Sequence, residues 1–121
     1  MVAIEIKKLE PQDDELLEEW TRVTDEEHIL GVFAARHADD DQTWEVSINV
    51  AEYIRADPLQ TELHDAITNA LTAIPGVSMA VQEDRELWIV QGDVSGEALI
   101  RACAFALDRL ADAMRAAYAD Y

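Results

Sequence analysis

The sequence predicts an α+β fold: one domain over residues 1–121, with an antiparallel sheet of about five strands and helices packed mainly on one face. Three observations predict it. Apolar residues recur at a spacing of two in 2–9, 44–50 and 77–90, and at about 3.6 in 58–74 and 95–118. Half of the 121 residues are hydrophobic, enough to bury one core without metals or disulfides. A strand–turn–strand–helix unit occurs twice, in 28–74 and 77–118, each time with a tryptophan, Trp44 or Trp88, heading the second strand. With one strand and one helix before the repeat, the order reads β-α-β-β-α-β-β-α, which a ferredoxin-like core with an added strand and helix also satisfies.

The elements follow in order. Val2, Ile4 and Ile6 alternate with Ala3, Glu5 and Lys7, giving a half-buried first strand. Pro11 then opens a segment with Asp13, Asp14 and Glu15 in its first turn and Leu16, Leu17, Trp20 and Val23 at helical spacing, so a short helix is expected through about Thr24. Residues 28–36 are apolar with little alternation and are interrupted by Gly31, which predicts a strand. The polar cluster 37–42 turns the chain into a second strand, with Trp44, Val46, Ile48 and Val50 facing inward.

Asp57, Pro58 and Gln60 form a helix start, Leu59, Leu63, Ile67, Leu71 and Ile74 one apolar face, and Pro75-Gly76 its stop. Val77, Met79 and Val81 alternate in the next strand, Glu83-Asp84-Arg85-Glu86 turns, and in the last strand Leu87 and Ile89 oppose Trp88 and Val90. Because both sides of that strand are apolar, it is either central or carries Trp88 in an exposed patch. Ser95 caps the final helix; Leu99, Ala102, Cys103, Ala106, Leu110, Ala113, Met114 and Ala117 mark its broad apolar face, flanked by Ile100, Leu107 and Tyr118. Phe105 falls on the other side, among Arg101, Asp108, Asp112 and Arg115.

Charge narrows the function classes. The chain has 26 acidic and 9 basic residues, a net charge of -17, with -10 in the first fifty residues and -7 in the rest. Such a surface repels phosphates, which argues against nucleic acid and anionic membranes and permits a basic protein partner. A GC-rich genome or a salt-adapted cytosol produces the same composition, so the charge by itself identifies no partner. The single cysteine and the lack of an apolar run of about 20 residues lead to the expectation of a cytoplasmic protein.

No catalytic, cofactor or metal motif stands out. Cys103 falls on the inner side of the last helix, and His28, His37 and His64 lie on different elements without an ordering partner in sequence. Three consecutive aspartates, 39–41, do not supply the six to eight ordered oxygens of a calcium loop. Residues 92–96 lack the lysine and spacing of a phosphate loop.

The helix–hairpin–helix–hairpin–helix order, the small acidic chain and the ending L-W-I-V, short loop, E-A-L-I and long helix resemble the type III secretion chaperone fold over about residues 15–118. That resemblance implies a homodimer that binds an extended segment of a partner through apolar patches, without catalysis. The expectation is therefore a small acidic, chaperone-like protein-binding module with its partner site around Trp88, Val90, Phe105, Arg101, Asp108 and Arg85. An immunity-type protein neutralising a basic toxin or nuclease is the alternative that charge and size support, and a small-ligand-binding protein or enzyme is the third.

Overall fold

The computed structural model describes residues 4–11, 14–23, 31–49 and 60–118. Among them are six strands, β1 (Glu5–Leu9), β2 (Leu16–Val23), β3 (Gly31–His37), β4 (Thr43–Asn49), β5 (Val77–Asp84) and β6 (Leu87–Gly92). Two helices, α1 (Gln60–Thr72) and α2 (Gly96–Tyr118), complete them. The strands form one sheet in the order β1-β2-β3-β4-β6-β5, and every neighbouring pair is antiparallel. The α+β class and antiparallel sheet are as expected; the sheet order contains one split β–α–β crossover, β4–α1–β5 around β6, where a ferredoxin-like core interlocks two. The helix start at Asp57, Pro58 and Leu59 lies outside the described residues.

One expected element is of the wrong kind. The segment read as a helix after Pro11 is β2, so the sheet has six strands rather than about five. Leu16, Leu17, Trp20 and Val23 do fit a helical period, but the stretch also alternates, and Trp20, Thr21 and Val23 favour a pleated backbone. Pairing with β1 on one side and β3 on the other satisfies its backbone and turns Trp20 and Arg22 toward the helices. Leu17 and Val23, which a helix would have buried, are left exposed.

Both helices cover the same side of the sheet. Val32 and Ala34 of β3, Trp44, Val46 and Ile48 of β4, and Trp88 and Val90 of β6 pack with Leu63, Ile67 and Leu71 of α1 and with Leu99, Ile100, Cys103, Ala104, Leu107 and Ala111 of α2. The buried line of α2 thus runs through Ile100, Cys103, Leu107 and Ala111, while Ala102 and Ala106 lie at its margin and Ala113 is exposed. The buried indole of Trp88 donates from Nε1 to Thr68 Oγ1 at 3.0 Å, which satisfies its one polar atom inside the core. Ser95 caps α2 by accepting from Ala98 N at 3.1 Å, and Trp20 lies so close to the helix start that a Cβ on Gly96 would fall 2.1 Å from Cδ1 of the indole.

The two repeated units meet between β4 and β6. Across the β4–β6 seam Trp44 faces Val90, Glu45 faces Ile89 and Val46 faces Trp88. The triplets W-E-V and W-I-V are therefore related by a local two-fold axis through the Glu45–Ile89 pair, with β3 and β5 in equivalent flanking places.

Candidate functional site

The residues expected to form one partner site are not brought together. Trp88 and Val90 are buried beneath the helices, so the sheet face around Trp88 is the core and not a contact surface. The strand is central and apolar on both sides; of the two arrangements open in the sequence, covering by the helices is the one realised for Trp88. Asp108 is engaged inside the fold: its carboxylate receives Nη1 and Nη2 of Arg22 at 2.7 and 2.8 Å, tying α2 to β2. Phe105 is 51% exposed, as its place off the apolar face predicts, and the Arg109 guanidinium lies 5.8 Å from its ring centre. Arg101, also exposed, donates to Glu97 at 3.0 Å. Arg85 sits in the β5–β6 turn, away from that helix stripe.

The surface that the sequence reading missed is the other side of the sheet, on which no described element packs. Direct cross-strand partners share a face, so one row there runs Glu19–Ala35–Glu45–Ile89–Val81. A second row runs Thr21–Phe33–Ser47–Leu87, and Gln91 and Met79 continue a third. Phe33, Leu87 and Ile89 are half-buried, whereas Met79 and Val81 are 38% and 48% exposed. The result is an apolar band across the sheet with carboxylates set into it.

Glu45 is the central carboxylate. It lies in the row between Ala35 and Ile89, its side chain is 44% exposed, and Oε2 is 3.1 Å from His37 Nε2 on the same face. Toward one end, Thr21, Phe33, Ser47, Asn49, Asp84, Glu86 and Leu87 line an open depression of about 480 Å³. Its apolar floor and acidic rim suit the aliphatic stem and charged head of a basic side chain.

A one-residue irregularity decides which side of β5 joins this face. Asp84 pairs with Leu87, but the register shifts before Gln82, which pairs with Trp88. The shift sends Ala80 toward the core and Met79 and Val81 to the open side; without it, Val81 would lie opposite Val90 and point inward. Inspection of the alternation alone gives no sign of it. For Ile89 and Glu45, by contrast, the signal was present, since each alternates with an inward tryptophan and valine.

The groups with potential for chemistry are dispersed. Cys103 is buried in the core, and burial pushes its thiol up to about 12. His37 lies on the open sheet face and His64 on α1, with Nδ1 3.0 Å from Asp65 Oδ1. Asp40, in the β3–β4 turn, accepts from Gln42 N and Thr43 Oγ1 at 3.2 and 2.7 Å and so shapes the hairpin. Among the described residues no group of three or more His, Cys, Asp or Glu side chains is placed to hold a metal ion, and no helix is long and apolar enough to cross a membrane. No protein-family model matches the chain, and neither a curated protein nor a solved structure matches it.

Proposed function

We propose that this chain is a non-enzymatic, cytoplasmic protein-binding module that holds a cationic segment of a protein partner against the open face of its sheet. The observation that carries the reading is the apolar band of Phe33, Leu87, Ile89, Val81 and Met79 with Glu45 at its middle, on a chain of net charge -17. Apolar contact supplies affinity there, while carboxylates on the same face select a basic partner and speed its approach. Of the resemblance to secretion chaperones, the first helix is strand β2 and drops out; the ending, β6 followed by the long α2, still points to the same class of work, with the contact region moved from Trp88 to the opposite side of the same strand.

Affinity capture by the wild-type chain and by Glu45→Lys and Ile89→Ala variants tests it, using one identified basic partner for titration. Both variants should weaken binding by about tenfold or more, the range for losing a central contact, with unchanged circular dichroism. Affinity of the wild type should fall as salt rises. Binding that survives both substitutions, or that is indifferent to salt, would remove the open face from consideration. Glu45 also favours a second reading, neutralisation of a basic toxin or nuclease; a folded basic protein as the captured species, rather than an extended segment, would select it.

A further inference from the structure

The two edges of the sheet are built differently. β1 has five residues and carries the only lysines of the chain, Lys7 and Lys8. Short length and lysines are the usual means by which an edge strand avoids pairing with another chain. β5 has eight residues, V-S-M-A-V-Q-E-D, without proline or lysine, and exposes Met79 and Val81. No strand of the described residues lies beyond it.

The local two-fold axis adds a second observation. β3 and β5 hold equivalent places beside β4 and β6, and the outer edge of β3 is filled by β2. The equivalent edge of β5 pairs with no strand of the described residues. A third observation is that the β5 sequence complements itself when run antiparallel about Ala80. Met79 then lies opposite Val81 of the second copy, and Ser78 opposite its Gln82. The straight part of β5 between its two register shifts, residues 79–82, contains no carboxylate, so none face each other across that part of the seam.

We propose that β5 pairs antiparallel with β5 of a second copy of this chain, joining the two sheets edge to edge about a two-fold axis at Ala80. The inference goes beyond the binding reading above and does not depend on it. Pairing satisfies the outer backbone groups of β5 and covers Met79 and Val81 with their counterparts. It also merges the open faces of both copies into one surface. With -17 on each copy, long-range repulsion opposes the approach, and salt screens it. Self-association should therefore strengthen with salt, the opposite sign from capture of a basic partner.

Sedimentation equilibrium of the full chain at about 20 mM and about 1 M sodium chloride tests this, a range over which the screening length shrinks several-fold. The expected result is a dimer at high salt whose dissociation constant is at least about tenfold lower than at low salt. The double variant Met79→Lys, Val81→Lys should be monomeric throughout, with wild-type circular dichroism because both side chains are exposed. In an Ala80→Cys variant, oxidation should link two chains through position 80. A monomer at both salt concentrations, or a dimer that persists in the double lysine variant, would overturn the β5 seam. Either result would leave partner capture on Glu45 and Ile89 to be judged separately.

Discussion

A methyl group at position 96 would compete for space with the indole of Trp20, whose Cδ1 and Nε1 lie 2.1 and 2.5 Å from where that Cβ would sit. Gly96→Ala should therefore destabilise the fold by about 1–3 kcal/mol, the range for overpacking, despite the better helix propensity of alanine. In a Trp20→Ala background the same change should become neutral or mildly stabilising. Urea midpoints of the four proteins check this as a double-mutant cycle. Cys103 makes a prediction in pH. Its thiol, ordinarily at 9.0, is raised to about 12 by burial, so the folded chain retains a proton that the unfolded chain releases. That contribution is whole below pH 9 and is lost as pH climbs toward about 12, with a slope of roughly 1.4 kcal/mol per pH unit in between. Stability measured from pH 8 upward should fall less steeply in Cys103→Ala than in wild type, and labelling of the native thiol at pH 8 should be slow.

At the scale of elements, β2 and the last helix are joined by a side-chain pair that no local window of sequence contains. β2 had the apolar spacing of a helix, but its identity was decided by partners distant in the chain: β1, β3 and Asp108 of α2. No local window contains that information, whereas the period of α2 and the alternation of β4 and β6 are complete within their own windows and were legible. The Arg22–Asp108 pair is bidentate, and the Arg22 side chain is nearly buried while that of Asp108 is partly exposed. Asp108→Ala should cost about 1–3 kcal/mol, below the value for a fully buried pair because solvent screens the carboxylate. Guanidinium denaturation, which also screens ion pairs, is the poorer readout; a urea midpoint at low salt should show the larger loss. Asp108→Asn should recover part of it by keeping one hydrogen bond to the guanidinium.

For the whole molecule, charge and shape separate two kinds of contact that sequence alone ran together. The sequence alone points to the second unit's apolar exterior and to Trp88. That strand does carry an exterior, but it belongs to Leu87 and Ile89, because both helices of the described residues cover the other side of the sheet. Which of two apolar sides receives the helices is a tertiary decision, set by Leu63, Ile67 and Leu71 closing over Trp88. The unused side then gathers residues from β2 through β5 that share no local motif. Salt provides the molecular-scale discriminator: it should loosen a basic partner on that face and tighten a pairing of two acidic copies along β5.

The β4–β6 seam also has a kinetic meaning. Each hairpin, β3–β4 and β5–β6, closes between neighbours in sequence, but the seam unites positions as distant as Thr43 and Gln91. The chain between them must lose its freedom before Trp44 and Trp88 gain their contacts across the axis. The expected outcome is two quick local closures followed by a slower docking, checked in stopped-flow refolding by a tryptophan fluorescence change that lags the gain of far-ultraviolet circular dichroism.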